Sequence, residues 1–210
     1  AKQFYGGLGQ NFINPALIGR AFLVAAYPTQ TTGAAFATGR MVTDAATYAT
    51  PLAELKAGTA IVNADAIKNA LIGNVGGTIG ETCAIALIIG GIYLLVKHVI
   101  SWRIPVVYIV VVFILTSLMR GNGFLGGVYE IFCGGLMLGA IFMATDYVTS
   151  PISAKGQIIF AIGCGVLTSL IRVYGGYPEG VSYSILIMNL AVPLIDRVTR
   201  PRIFGEVKAK

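Results

Sequence analysis

The residues best suited to chemistry form a short, hydroxyl-rich segment, residues 44–52, with the sequence DAATYATPL. Thr50 offers a hydroxyl that a phosphate can esterify, because small Ala49 leaves room beside it and Pro51 fixes the backbone after it. The same residues also predict that Thr50 is the N-cap of a short helix with Pro51 at its first position. The two roles are compatible, since a phosphate there would face free backbone N–H groups.

Three carboxylates lie at or near the depth of the apolar segments, and carboxylates in a membrane are costly and often functional. Glu81 stands at the start of its segment, where a helix N-terminus would stabilise its charge. Asp146 stands at a segment end. Glu130 is the deepest of the three and is our only candidate for a group on an ion pathway.

Cysteine and histidine predict no metal site. Cys83, Cys133 and Cys164 lie singly in apolar stretches without a CxxC pair, which indicates neither a disulfide framework nor a metal centre. His98 is the only histidine, so this chain cannot supply two histidine ligands to a haem. No acid–base or nucleophilic constellation is apparent, and we predict no catalytic residue and no turnover from this chain alone.

The composition is that of a membrane protein. The chain is 56% hydrophobic and 11% charged, whereas about 25% charged residues is usual in soluble domains. The net charge of +6 is concentrated at the C-terminal end, beside an apolar segment. Basic residues flanking a membrane span mark its cytoplasmic side, so we predict contact with a lipid bilayer and no binding to nucleic acid.

Apolar runs with turn-forming separators predict an all-α polytopic membrane protein with about six segments. The segments are expected near residues 10–28, 79–97, 104–119, 124–145, 156–173 and 180–197. A basic cytoplasmic tail, residues 198–210, then places loop 29–78 outside the membrane. Within that loop we expect two short amphipathic helices, near 51–57 and 63–73.

A weak internal repeat relates residues 6–18 to residues 175–187, because each has a Gly-Gly start, a polar breaker and an apolar helix. The orientation count makes the two segments run in opposite directions, as in inverted repeats that hold a site at their interface. Residues 1–28 would then be the last segment of a first repeat, and 79–197 a complete five-helix second repeat. The chain begins without Met and is expected to be part of a longer protein.

Several stretches taken together resemble one family along essentially the whole chain. They are residues 6–16, 44–52, 76–82, 143–151 and 176–184. The family is that of the RnfD subunit of the Rnf electron transport complex, an ion-translocating ferredoxin:NAD oxidoreductase, and more distantly of the NqrB subunit of the Na+-translocating NADH:quinone oxidoreductase. The resemblance implies a urea-transporter-like, inverted-repeat bundle with broken helices in the bacterial inner membrane.

The family motif is approximately D-x-x-[ST]-[GAS]-A-T, with FMN joined to the last Thr through a phosphoester bond. By this resemblance Thr50 carries covalent FMN, Asp44 and Ala49 belong to the motif, and Thr47 is the fallback attachment site. Tyr48 departs from the family, which has a small residue there. It could stack on the isoalloxazine ring or weaken recognition by the flavin transferase that installs FMN.

Asn11 and Asn14 have two alternative roles. They are expected one helical turn apart at a broken helix, where their amides could satisfy backbone groups freed by Pro15. The more distant relative binds a second flavin, riboflavin, without a covalent bond, and the resemblance makes both residues candidate contacts to it.

The resemblance implies an electron relay through FMN, coupled to Na+ or H+ transport. Its implied partners are other membrane and flavin or iron–sulfur subunits of the complex, especially the FMN-bearing RnfG subunit, and the flavin transferase. A small-solute channel or secondary transporter is the alternative from another class, since inverted repeats with broken helices also build pores. The NqrB subunit of a quinone reductase is the alternative within the class, and residues 143–151 and 176–184 disfavour it.

Overall fold

Every regular element that the structure describes is a helix, which confirms the predicted all-α class. The structure is a computed structural model that describes residues 3, 6–7, 9–27, 50–77, 80–121, 123–176 and 180–200. Its elements are α1 (Pro15–Ala26), α2 (Pro51–Ala57), α3 (Ala64–Ile72), α4 (Ala84–Val96), α5 (Arg103–Arg120), α6 (Gly123–Phe132), α7 (Leu136–Leu138, continued by a π-helical turn Gly139–Met143), α8 (Ala154–Tyr174) and α9 (Val181–Thr199).

Three of the described helices are long and apolar enough to cross a membrane. They are α5 with 18 residues, α8 with 21 and α9 with 19. Large apolar side chains lie exposed on their outer surfaces, as in Leu118 with 77% and Leu194 with 67% of the residue surface accessible. An apolar exterior of this kind is expected where lipid, rather than water, surrounds the helices.

The predicted segment 124–145 is not continuous. It is divided into α6 and α7, which bend by 66° at a break of a few residues and could together form a fourth crossing. The break falls at Gly134, whose φ of +69° lies in the left-handed region that favours glycine. The α-helical ladder therefore stops at the Cys-Gly-Gly sequence of residues 133–135.

The predicted spans 10–28 and 79–97 are shorter than expected. Helices α1 and α4 have 12 and 13 residues, which at 1.5 Å per residue is about 18–20 Å, against a hydrocarbon core of about 30 Å. Helix α1 starts late because Pro15 occupies its first position and the Asn14 side chain caps its N-terminus. Neither helix is long enough to cross the bilayer alone.

The two short helices expected in loop 29–78 are confirmed as α2 and α3. Both pack on α6 through a small apolar cluster that contains Leu52 and Leu55 of α2, Ala70 of α3, and Tyr129 and Cys133 beside the break. The described part of the loop is thus attached to the broken segment.

The main core lies between α5, α8 and α9, with α1 and α7 against it. A buried hydroxyl cluster joins three of these helices: the Tyr108 hydroxyl lies 2.6 Å from Thr168 Oγ1 and 3.1 Å from Ser184 Oγ. Each hydroxyl has a partner, as buried polar groups require. Helices α5 and α8 approach closely at Gly165, where a Cβ would lie 2.6 Å from Val111 Cγ1.

Contacts between helix ends divide the molecule into two faces. On the first, called here the Thr50 face (residues 50–58, 80–82, 120–121 and 175–176), Lys56 donates to the Gly175 carbonyl. On the second, the Asn14 face (residues 9–14, 97–103 and 145–153), Ser101 Oγ donates to Gln157 Oε1 at 3.0 Å. Helix α1 begins near the Asn14 face and leads to Glu81, whereas α9 begins near the Thr50 face and ends beside Ser153. The two helices therefore run in opposite directions, as predicted.

Candidate functional site

Thr50 occupies the N-cap of α2, as the sequence predicted. Its backbone is extended, with φ −66° and ψ 148°, and its Oγ1 accepts a hydrogen bond from the Ala53 N–H at 3.4 Å. Pro51 fills the first helical position, and the seven-residue helix ends at Gly58. The other motif residues, Asp44, Thr47, Tyr48 and Ala49, lie outside the described residues.

Thr50 lines a narrow cleft whose floor is the break between α6 and α7. The remaining lining residues are Pro51, Leu52, Val75, Gly76, Gly77, Glu81, Thr82, Phe132 and Gly134. Leu52 is 1% exposed, and a Cβ on Gly134 would collide with its Cδ1. The attachment helix is therefore seated directly on the break.

Glu81 brings a buried carboxylate to the wall of this cleft. Arg20 of α1 donates from Nη1 to Glu81 Oε1 at 2.5 Å. Glu81 Oε2 is buried and has no hydrogen-bond partner among the described residues. A carboxylate with one orphaned oxygen is a ready acceptor for a group that offers O–H or N–H donors.

The partner of Glu81 differs from the expectation. The sequence assigned its stabilisation to a helix N-terminus, but α4 begins only at Ala84, and the opposite charge comes from Arg20. The signal was present, because an arginine within a predicted membrane segment usually pairs with another polar group.

Arg120 connects the attachment helix to the membrane helices. Its Nη1 donates to the Leu55 carbonyl near the end of α2 at 3.1 Å, and its Nη2 donates to the Arg172 carbonyl at 3.0 Å. Its Nε lies 2.8 Å from Glu130 Oε1 in an ion pair whose direction is outside hydrogen-bond geometry. Sequence reasoning treated this residue only as an odd charge in a loop.

Arg172 of α8 satisfies the carbonyls left open by the break. It is fully buried, and it donates to the Glu130 carbonyl at 2.8 Å and to the Cys133 carbonyl at 3.4 Å. The last carbonyls of a helix have no intrahelical donor, and in a membrane no water replaces it. Arg172 supplies these bonds in place of the missing helical turn.

Glu130 therefore lies between two guanidinium groups. It is 2% exposed, and Arg172 Nη1 lies 4.0 Å from its second carboxylate oxygen. The ion-pathway role of Glu130 stays a prediction, and a cation would have to compete with both arginines for this carboxylate.

Asn14 and Asn11 lie on the opposite side of the molecule. Asn14 Oδ1 accepts from the Ala16 N–H at 3.0 Å and the Leu17 N–H at 3.3 Å, so it satisfies the helix start, one of its two predicted roles. Asn11 donates weakly to the Ile13 carbonyl at 3.5 Å. The expectation that both lie one turn apart on a broken helix is wrong, because α1 begins after them, at Pro15.

Both asparagines line a larger cleft of about 530 Å³. Thr145 and Asp146 add polar groups to it, and Phe142 and Tyr147 add aromatic surface. The structure thus brings Asn11 and Asn14 together with each other, but not with Thr50.

Apolar spanning helices around a broken segment whose polar groups are internally paired define a polytopic helical membrane protein. The chain belongs to the NQR2, RnfD, RnfE family, whose profile matches residues 1–205.

Similar proteins belong to ion-translocating complexes. The chain is 53% identical over 210 residues to the RnfD subunit of the Na+-translocating ferredoxin:NAD+ oxidoreductase complex of Acetobacterium woodii, covering 100% of this chain and 64% of that protein. It is 50% identical over 215 residues to the RnfD subunit of the proton-translocating ferredoxin:NAD+ oxidoreductase complex of Clostridium ljungdahlii, covering 98% and 65%. The corresponding subunit of the ion-translocating oxidoreductase complex of Stutzerimonas stutzeri is 39% identical, with 97% and 66% covered. The chain spans about two thirds of the length of these relatives.

Proposed function

We propose that this chain is the membrane-embedded, flavin-carrying part of the RnfD subunit in an ion-translocating ferredoxin:NAD+ oxidoreductase of the Rnf type, in a bacterial inner membrane. The observation that carries the proposal is identity of 53% and 50%, over 100% and 98% of the chain, to two such subunits. Other subunits of that complex are the proposed partners, with the FMN-bearing RnfG subunit next in the electron path.

We further propose that Thr50 holds FMN through a phosphoester bond. The support is the family motif, a hydroxyl placed at a half-buried helix start, and the orphaned oxygen of Glu81 in the same cleft. FMN offers ribityl hydroxyls and a ring N–H, so its donors fit the acceptor that Glu81 leaves open. When bound, FMN supplies one- and two-electron redox chemistry, and the protein supplies placement and electrostatics.

The residues of this chain then act as a fixed mount. Thr50 supplies the bonding oxygen, the Leu52–Gly134 contact seats the first turn of α2 on the break, and Arg120 holds its last turn. Both ends of α2 are thereby joined to membrane helices, which limits movement of the attachment point.

A second, non-covalent flavin is proposed for the cleft at Asn11 and Asn14. Its volume of about 530 Å³ lies within the range of small-molecule sites, and its polar and aromatic lining suits a flat ring with polar edges. This riboflavin site is on the Asn14 face, away from Thr50.

The transported ion is proposed to be Na+ or H+. Relatives of nearly equal identity are named for different ions, Na+ at 53% and protons at 50%, so similarity does not choose between them. Glu130 stays the proposed ion-pathway residue.

The covalent bond can be separated from the N-cap role by comparing three variants of the full-length protein, produced together with a flavin transferase. Thr50→Ser keeps both the cap and a hydroxyl, Thr50→Asn keeps a good cap without an esterifiable hydroxyl, and Thr50→Ala removes both. In-gel flavin fluorescence of the denatured protein is the measurement. We expect a fluorescent band in the parent and a measurable band in Thr50→Ser, and dark bands in Thr50→Asn and Thr50→Ala.

A fluorescent band in Thr50→Asn would reject Thr50 as the attachment site, and a further variant, Thr47→Ala, would then test the fallback. A dark parent band would reject covalent flavin. In that case solute transport, the alternative class, would become the leading proposal.

A further inference from the structure

A second crevice of about 530 Å³ lies on the Asn14 face, beside the cleft of Asn11 and Asn14. It is formed by the turn between α4 and α5 and by the segment that follows α7. Its lining residues are Leu95, His98, Val99, Ile100, Ser101, Trp102, Arg103, Ile104, Thr145, Tyr147, Ser150 and Gln157. The mount at Thr50 does not use these residues.

The charge of this crevice is positive. Arg103 is one of its walls, and no carboxylate lines it among the described residues. Within the described part of the chain, the Arg103 guanidinium lies against the ring of Trp102, at 6.0 Å from the centroid, and not against an acid. The structure therefore presents a cation with hydrogen-bonding capacity to whatever enters the crevice.

His98 keeps a side chain where the backbone favours glycine. It has a φ of +54°, the only positive value at a described residue other than glycine. The His98 N–H bonds to the Leu95 carbonyl at 3.0 Å and the Val99 N–H to the Leu94 carbonyl at 2.9 Å, which is the pattern of a helix end that usually has glycine at this position. An imidazole retained against this preference indicates that its side chain is used.

The rim of the crevice is apolar and aromatic. Tyr93, Val96 and Trp102 are 62%, 69% and 59% exposed. Lys97 lies over the Tyr93 ring at 6.0 Å. Exposed aromatic residues with Lys and Arg at the ends of apolar helices are typical of the level where lipid headgroups lie. A ligand here would meet cations in the crevice and acyl-chain surface beside it.

We propose that this crevice binds the phosphate of an anionic phospholipid, with Arg103 and His98 as hydrogen-bond donors and Trp102 against the glycerol and acyl region. Phosphate is the chemistry that the two donors recognise, and bidentate arginine contacts suit it. The apolar rim favours a lipid over free phosphate as its source. The proposal does not depend on flavin at Thr50.

The test uses the full-length protein in its native complex, in nanodiscs that contain phosphatidylglycerol and phosphatidylcholine. Native mass spectrometry measures how much of each lipid stays bound. We expect Arg103→Gln to weaken phosphatidylglycerol retention about fivefold, the effect of one basic residue near an anionic surface. The matched control is Lys155→Gln, which removes an exposed positive charge outside the crevice, and we expect no comparable loss.

A second variant separates binding from folding. His98→Gly should relieve the left-handed backbone, so the melting temperature should not fall, while phosphatidylglycerol retention should. An equal loss in Lys155→Gln, or unchanged retention in both Arg103→Gln and His98→Gly, would overturn the site. Release of the bound lipid by an excess of inorganic phosphate alone would reassign the crevice to free phosphate.

Discussion

Gly134 shows how one residue fixes the relation between the attachment helix and the broken segment. Its φ of +69° is unfavourable for any residue with a Cβ, and the space where a Cβ would lie is filled by Leu52. Backbone conformation and packing therefore select the same residue type for different reasons.

These two reasons can be measured separately with Gly134→Ala and Gly121→Ala. Gly121 has nearly the same φ, +67°, but open space around its Cβ position. We expect Gly121→Ala to cost about 1 kcal/mol, from the backbone alone, and Gly134→Ala to cost about 1–3 kcal/mol more, from overpacking against Leu52. Thermal unfolding in detergent, followed by circular dichroism, compares the two. Equal losses would show that the Leu52 contact contributes nothing.

At this scale the sequence predicts what depends on near neighbours. The cap at Thr50 and the helix-start bonds of Asn14 involve residues two or three positions away, and both were predicted. The pairing of Arg20 with Glu81 spans 61 positions. The pattern gave each charge but not its partner, because only the packing of α1 against the cleft brings them together.

At the scale of elements, α2 depends on a single arginine for its connection to the membrane helices. Arg120 bonds to the end of α2, to α8 and to Glu130. We expect Arg120→Gln to raise the amide exchange of residues 51–58 about tenfold or more, since hydrogen bonds to a charged group contribute about 1.5–3 kcal/mol. Hydrogen–deuterium exchange with mass spectrometry of the full-length protein measures this.

The control for this experiment is Lys68→Gln on α3. Lys68 pairs with Asp65 at 3.4 Å on an exposed surface, where such pairs contribute little, so exchange in 51–58 should stay as in the parent. Similar exchange in Arg120→Gln and the parent would mean that the apolar cluster alone holds α2.

Element boundaries were predictable where local signals exist. Threonine followed by proline marked α2, and Gly-Asn-Gly marked the end of α5. The break between α6 and α7 was missed, since apolar residues continue on both sides of Gly134 and Gly135. What stabilises the break is Arg172, about 40 positions later, and hydropathy does not register such a bond.

At the scale of the whole molecule, the arrangement of helix ends predicts the sidedness of the protein. Loop 29–78 is predicted outside and the C-terminal end inside, which corresponds to α3 and the start of α8 lying on opposite sides. Lys68→Cys and Lys155→Cys place one exposed thiol on each. We expect a membrane-impermeant maleimide to label Lys68→Cys in intact cells or spheroplasts, and Lys155→Cys only after lysis.

The parent protein is the control, since Cys133 and Cys164 are buried and Cys83 is partly buried. Labelling in the reverse order would invert the predicted topology without altering the two faces themselves.

Composition was sufficient for the membrane class, and helix counting with charge was sufficient for the opposite directions of α1 and α9. Neither could show that α1 and α4 are too short to cross alone. Their length depends on where caps and turns begin, and apolar residues beyond those points still add to a hydropathy window.

The bonds of Arg172 also have a consequence for biosynthesis. The carbonyls that it satisfies belong to residues made 39 and 42 positions earlier in the chain. A broken helix with open carbonyls is poorly soluble in lipid, so the newly made α6–α7 unit has no lasting place in the bilayer until α8 has been synthesised. The insertion machinery must therefore retain this unit, or its loop-side helices must cover it, while the ribosome completes the next helix.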